Sequence, residues 1–412
     1  MKCSALFATL AIVLVTGVAR AETVSHKFRV EAGDHDRIES PVRIPVKINY
    51  RDKLSVSVVD AANRTLPGQL TRPSVVAAAD GIGDFNAELV FILPRLERGK
   101  TADFTAMITD EGGANPPSFH WQQTAPGVTE LDFDGRPVLR YMHASLDEST
   151  PEKRGETYKP YHHVFDPQGK ILVTKGPGGL FPHHRGLFFG FNKISYGDGK
   201  VADTWHCNKG EYQSHEEIVS SDAGPVLGRH VCRIAWHGQD KQVFAEELRE
   251  LSAYHTAGGV LIEFASRLTS KVGKVKLDGD PQHAGFQFRA TQAVPDKTAS
   301  QTYYLRPDGK GEPGKFRNWP DDKSHVNLPW HALSFVVGTQ RYTCCNLDRP
   351  QNPKEARFSE RDYGRFGSYF EYELDTDRPL NVRYRIWLQE GEMGKGDAQR
   401  LADDFVSPPK GV

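Results

Sequence analysis

The sequence predicts an all-β protein: a large antiparallel two-sheet β-sandwich preceded by a smaller N-terminal β-sandwich domain. Two observations predict it. Apolar and polar residues alternate over many short segments, which is the period of two that marks a half-buried strand. Helical periodicity is scarce, and the strand–helix alternation that a parallel α/β sheet requires is absent. With 38% hydrophobic and 10% aromatic residues over 412 positions, the chain has enough apolar side chain to fill packed cores.

The elements follow in order. Residues 1–21 read as a signal peptide, with Lys2 as the positive start, an uncharged apolar run over 6–18 and Ala19-Arg20-Ala21 as the cleavage signature. Cleavage there leaves 391 residues and moves the net charge from -1 to -3, because Lys2 and Arg20 are lost. Export to a periplasm or the exterior is the expectation. Residues 22–112 form the small N-terminal domain, with alternating strands at 26–30, 42–50, 54–59, 87–93 and 101–108. Residues 113–117, at the end of the turn-rich Glu111-Gly-Gly-Ala-Asn-Pro-Pro117, serve as a linker.

Residues 118–412 form the large domain. An Asp134-Gly135 turn joins a hairpin. Further strands are predicted at 138–142, 171–174, 187–191, 228–236, 243–252, 260–269, 285–290, 332–337, 366–374 and 380–388. One helix is predicted over 396–405, closed by Pro408-Pro409.

The near-even charge, 52 Lys+Arg against 53 Asp+Glu with no long basic block, excludes a nucleic-acid protein. No later run reaches the ~18 apolar residues of a spanning helix, so no integral membrane segment is expected. Cys207, Cys232, Cys344 and Cys345 remain after cleavage. Free buried thiols are expected ahead of disulfides, and without a C-x-x-C pair a cysteine zinc site is not.

Ten of the 16 histidines lie between His143 and His255. The densest polar cluster is the glycine-rich stretch from Gly176 to Gly190, which delivers His183, His184 and Arg185 into an apolar strand. Imidazole titrates near neutrality and can act as acid, base or metal ligand, while a guanidinium offers a fixed fork. Asp203-Thr-Trp205-His206 adds a carboxylate and a third imidazole, and the segment from Asp280 to Arg289 adds His283 and a second guanidinium. Neighbours on a strand face opposite ways, so only one of His183 and His184 need enter a given pocket.

Phe181-Pro-His-His-Arg-Gly-Leu-Phe-Phe-Gly190, Asp203-Thr-Trp-His206, Asp348-Arg-Pro-Gln-Asn-Pro353 and Arg361-Asp-Tyr-Gly364 resemble secreted bacterial proteins labelled "methane oxygenase PmoA". The resemblance spans 137–391 and implies a β-sandwich in a carbohydrate-processing setting, with His183, His184, Arg185, Asp203, His206 and His283 at its polar motifs. Methane oxidation itself is not expected, because the membrane monooxygenase subunit is a bundle of apolar spanning helices and this chain has none.

The function expected is a secreted carbohydrate-active enzyme, hydrolase or lyase, working by histidine acid/base chemistry in a sandwich cleft. Its catalytic candidates are His183, His184, His206 and Asp203. Its substrate-binding candidates are Arg185, Trp205, His283, Arg289, Tyr161 and Trp330, the aromatics stacking on a sugar ring. A paired-carboxylate variant would join Asp203 to Glu217 or Glu246. The alternatives are a histidine-rich metal-binding protein, in which a divalent metal assists hydrolysis or oxidation, and a non-catalytic carbohydrate-binding protein. The sequence specifies neither the metal ligands nor the cofactor.

Overall fold

A computed structural model describes residues 23–48, 54–75, 85–110 and 116–412. The predicted signal peptide and residues 113–115 of the predicted linker lie outside the described residues. The N-terminal strands are β1 (Thr23–Glu31), β2 (Arg37–Val46), β3 (Ser55–Asp60), β4 (Thr65–Thr71), β5 (Ala87–Leu96) and β6 (Thr101–Thr109). After them come β7 (Phe119–Ala125), β8 (Val128–Phe133), β9 (Arg136–Met142), the short helix α1 (Pro151–Thr157) and β10 (Tyr161–Val164). The chain continues through β11 (Leu187–Phe191), β12 (Lys193–Tyr196), β13 (Lys200–Ala202), β14 (Tyr212–Ala223), β15 (Leu227–His237), β16 (Val243–His255) and β17 (Val260–Ser270). Then follow β18 (Val275–Asp278), β19 (Ala284–Arg289), β20 (Tyr303–Arg306), β21 (Gly309–Lys310), β22 (Trp330–Val337) and β23 (Gln340–Asp348). The last elements are β24 (Arg357–Arg361), β25 (Arg365–Tyr369), β26 (Tyr372–Leu374), β27 (Leu380–Glu390), α2 (Lys395–Val406) and β28 (Lys410–Gly411).

The architecture is all-β. The N-terminal strands make one seven-stranded sheet, β2-β5-β4-β3-β6-β1-β28, closed at its edge by the last strand of the chain. Phe91 on β5 and Phe104 on β6 are separated by two intervening strands, yet their ring centres lie 5.2 Å apart. The sheet therefore curls until its halves face each other across a core of Phe28, Phe91 and Phe104.

Two large antiparallel sheets build the main body. One runs β24-β25-β19-β11-β10-β9-β8-β7, the other β14-β15-β16-β17-β27-β23-β22-β20-β21, and a small sheet β13-β12-β18-β26 stands at one end. Strand alternation decides which side chains meet between them. On β19, Ala284, Phe286 and Phe288 enter the core, and on β11 Leu187, Phe189 and Phe191 do the same. Phe286 meets Phe264 of the opposite sheet at 4.6 Å and Tyr384 at 4.7 Å. Each such ring contributes on the order of 1.5–3 kcal/mol through burial.

The two outer faces are covered differently. Over the nine-stranded sheet lie α2 and the N-terminal sheet, where Val90, Trp330, Trp387, Leu401 and Phe405 share one apolar cluster. Over the eight-stranded sheet lie loops. That face receives the residues that alternate with the core set: Phe188 on β11, Gln287 and Arg289 on β19, and Arg365 on β25.

Two predicted strands differ. The run at 366–374 divides into β25 and β26, which belong to different sheets, because Phe370 turns into the core between them. The run at 171–174 forms only isolated bridges, Phe165 with Leu172 and Thr174 with Ala290. Asp134 and Gly135 both have positive φ, 53° and 76°, as the tight hairpin turn requires. The four cysteines are free and buried. Among the described residues no helix is long and apolar enough to cross a membrane.

Candidate functional site

The glycine-rich stretch folds onto the outer face of the eight-stranded sheet. Backbone bonds from Gly186 to Lys175 (2.9 Å) and from Arg289 to Gly186 (3.0 Å) clamp its two ends beside β19. Gly186 has a φ of +31°, and a Cβ there would stand 2.0 Å from the carbonyl oxygen of His162. Only glycine allows this close approach. Arg185 is fully buried and donates to the carbonyls of Pro182 (3.1 Å), Glu156 (3.2 Å) and Gly155, the latter two at the C-terminal end of α1. Its guanidinium anchors the loop to that helix end, where the exposed carbonyl dipoles favour a cation.

Three imidazoles converge on the surface this creates. Ring nitrogens of His183, His206 and His283 all lie within 4.8 Å of one another. His206 and His283 are held by the same local device. Asp203 accepts from the backbone N–H of Trp205 (2.9 Å) and His206 (2.8 Å), and its second oxygen takes His206 Nδ1 at 2.8 Å. Asp280 accepts from the N–H of Gln282 (2.9 Å) and holds His283 Nδ1 at 3.0 Å. Asn192 donates to Asp280 at 2.7 Å, completing that support. With both Nδ1 atoms engaged, Nε2 is the nitrogen each ring has free. His183 Nε2 is buried and has no hydrogen-bond partner among the described residues.

This set fits a metal ion. Carboxylates that bind the far nitrogen of a histidine fix its tautomer and raise its basicity as a ligand. Zinc–nitrogen bonds of about 2.0–2.1 Å would place tetrahedral ligand nitrogens roughly 3.3 Å apart, a spacing inside the 4.8 Å limit within which the three rings already offer their nitrogens. The side chains of His206 and His283 retain 22% and 23% of their surface, leaving the convergence point open to solvent. Three protein ligands with an open position are the pattern of catalytic rather than structural sites.

Charges of both signs surround the trio. Burial pushes the His183 imidazole down to about 2, with the Lys159 ammonium nearby adding to the effect. It also lowers His283, against the pull of Asp280. Asp280 stays well below the usual carboxylate range: burial opposes its charge, and the hydrogen bonds from His283 and Asn192 outweigh that. Lys159 is itself buried under the site, donating to the carbonyls of His183 (2.8 Å) and Trp205 (2.5 Å), and burial holds its ammonium far below the ordinary value.

The other predicted residues fall in different places. His184 adjoins the trio, its ring 4.4 Å from His183 and 5.3 Å from His283. It is 1% exposed, however, and is tied through Nδ1 to Gln287 at 2.9 Å. Trp205 and Tyr161 are buried beneath the site with Phe188 and present no face for stacking. Trp330 lies in the cluster under α2, bonded to Gln399 at 2.9 Å, on the other side of the molecule. Glu217 and Glu246 both pair with Arg233, at 2.8 and 2.7 Å on the nine-stranded sheet, so no carboxylate pair forms with Asp203. Arg289 is fully buried behind Tyr363, whose ring centre is 4.6 Å from the guanidinium carbon.

Aromatic surface comes instead from Phe181, 41% exposed and 5.2 Å from Tyr363. A cleft of about 410 Å³ opens beside Asp203 and Asn192, with Lys193, Lys209 and Lys276 on its walls. Sequence reasoning missed Asp280, Gln287, Lys159 and Arg365 as parts of the site. One signal for the first was present: Asp203-x-x-His206 and Asp280-x-x-His283 share the same spacing.

Residues 128–403 match a family described as of unknown function, DUF6807. No curated protein matches the chain. Among solved structures it is similar to a crystal structure of a protein in glycosyl hydrolase family 38 from Enterococcus faecalis, at 6% identity and a TM-score of 0.48. That similarity covers 94% of this chain and 47% of the other, so the chain spans about half the length of that protein.

Proposed function

The chain belongs to the DUF6807 family, whose function is unknown, so the reading rests on the site, and we propose that this is a metal-dependent enzyme with one divalent transition metal held by His183, His206 and His283. The observation that carries the proposal is the convergence of three imidazole nitrogens, two of them on rings oriented by carboxylates and the third on a ring whose Nε2 is buried without a partner among the described residues. Nitrogen-rich sites of this type suit zinc, copper, iron or nickel rather than magnesium or calcium.

A metal there supplies Lewis-acid polarisation of a substrate oxygen. The chain's own residues do the rest. Asp203 and Asp280 keep both imidazoles in the Nδ1–H tautomer. The open side admits the substrate, and the exposed Phe181 ring offers an apolar face. In the exported setting that the N-terminal sequence predicts, a sugar or glycoside suits such a surface, since its C–H face stacks on aromatic rings while its hydroxyls meet polar groups. This replaces proton transfer between imidazoles with metal-assisted hydrolysis or elimination as the preferred chemistry.

The test is metal content followed by turnover. Full-length protein purified from metal-supplemented medium should carry close to one equivalent of transition metal by mass spectrometry, and His206→Ala and His283→Ala should lose it. Hydrolysis or elimination on a panel of chromogenic glycosides should stop with a chelator and return with the metal. Equal metal content in wild type and variants, or turnover indifferent to chelation, would contradict the proposal.

A further inference from the structure

Arg361, Arg365 and Arg289 form one row across β24, β25 and β19, because Arg365 is the ladder partner of both others. Phe366 and Phe288, the adjacent residues on β25 and β19, enter the core, so Arg365 and Arg289 lie on the outer face with His184 and Gln287. Like charges directly opposite on neighbouring strands repel. Among the described residues none of the three arginines has a carboxylate within ion-pair distance; their partners are neutral oxygens.

Two of the three are well satisfied. Arg365 donates to Pro281 (3.3 Å), Ser359 (2.9 Å) and Gln287 (3.4 Å), and Arg361 to Asn318 and to the carbonyl of Glu360 (2.6 Å). Arg289 uses only Nη1, on the carbonyls of Ala290 (3.0 Å) and Tyr363. Its Nε and Nη2 are buried and have no partner among the described residues. Those two nitrogens are the edge of a guanidinium that grips a carboxylate with two parallel hydrogen bonds.

The surroundings favour an anion there. Lys175, whose N–H bonds the carbonyl of Arg289 at 3.1 Å, adds a second buried cation with only carbonyl partners, Gly176 and Gly178. Tyr363 covers the guanidinium and stands 6.3 Å from His184, which itself adjoins the imidazole trio. The cover above Tyr363 is the tip of a glycine-rich loop, with Gly178, Gly179 and Phe181 all at positive φ.

We propose that Arg289 is the recognition residue for a carboxylate of the substrate, which it grips through Nε and Nη2 beside the histidine site once Tyr363 and the loop tip that cover it move aside. The substrate class this selects is an acidic sugar, a uronate or uronoside, rather than a neutral one. The identity as a sugar rests on the function proposed above, while the carboxylate subsite rests on Arg289 alone.

The experiment uses full-length protein labelled with ¹⁵N-arginine, metal-loaded and chelator-stripped in parallel. The Nε–H resonance of Arg289, assigned by its loss in Arg289→Lys or by its contact with the Tyr363 ring if that variant does not fold, is followed during titration with acetate and with neutral acetamide. Acetate should shift it saturably in both metal states and acetamide should not. Calorimetry should give glucuronate at least about tenfold tighter binding than glucose, a preference Arg289→Lys removes without changing metal content. A resonance unmoved by acetate, moved equally by acetamide, or moved only when metal is bound overturns the subsite, and glucuronate bound no tighter than glucose overturns the substrate class. The metal reading is judged separately by the metal content of the same samples.

Discussion

Asp203 and Asp280 each bind the backbone of their own turn and the Nδ1 of the histidine three residues on. Removing the charge while keeping the shape therefore isolates the orienting role. Asp203→Asn and Asp280→Asn are each expected to weaken metal binding roughly 10- to 100-fold while the fold persists, measured by competition with a chelator of known affinity. Unchanged affinity in both would count against those carboxylates as ligand supports. At Gly186 the argument is steric: Gly186→Ala drives a Cβ into the carbonyl of His162 and is expected to cost about 2 kcal/mol or more. Denaturant midpoints decide it. The Pro-His-His-Arg-Gly stretch was legible in the sequence as unusual, but the roles inside it were not. Arg185 looks like a ligand for an anion and instead closes a helix end, because which polar group a guanidinium reaches is set by α1, about thirty residues earlier.

Among the elements, strands with clean alternation and apolar cores were readable, as β15 to β17 and β27 illustrate. The ones overlooked have physical reasons. β4 carries Pro67 and Gly68, both poor strand formers, and β14 is a long edge strand whose exposed stretch Glu216-Glu217-Ile218-Val219 breaks the expected pattern. The histidine excess also divides by element. His162 and His230 face each other at 2.8 Å between the two sheets, a pairing no sequence pattern announces.

Burial holds His230, His163 and His331 down to about 3, and it holds His162 well below its ordinary value. These rings stay neutral when folded and take up protons when unfolded below their usual value near 6.5. The unfolded state then binds more protons, so stability falls as pH drops from about 6.5 toward 3, by about 1.4 kcal/mol per pH unit for each imidazole. Loss of the near-ultraviolet circular dichroism of the buried tryptophans is expected between about pH 6 and pH 4, with a shallower slope in His230→Gln. A flat stability profile from pH 7 to 5 would refute this.

On the scale of the molecule, buried ion pairs tie the N-terminal sheet to α2 and to the nine-stranded sheet that both cover. Arg37 meets Asp404 at 2.7 Å, and Arg229 meets Glu88 at 3.1 Å, all four side chains being almost completely buried. Arg37→Met strands the Asp404 carboxylate and is expected to lower stability by about 3–5 kcal/mol, with much of it regained when Asp404→Leu is added. Urea unfolding of the single and double variants checks this, and equal losses in both would show that the pair is not the source. Bracing one outer face leaves the other to loops, and there the imidazoles gather from segments around residues 183, 206 and 283. The all-β class was legible from local periodicity. The convergence was not, since it depends on the pairing of β11 with β19, onto whose outer face the glycine-rich stretch folds, and on where the small sheet delivers the turn after β13.

X-ray absorption at the edge of the bound metal addresses the central claim most directly. The account predicts three nitrogen scatterers with imidazole signatures at about 2.0–2.1 Å, plus light-atom ligands at the open position. It also predicts that the signal vanishes in His183→Ala/His206→Ala/His283→Ala protein that remains folded. A metal-free wild type after reconstitution, or a spectrum of oxygen or sulfur ligands that survives the triple substitution, would contradict it.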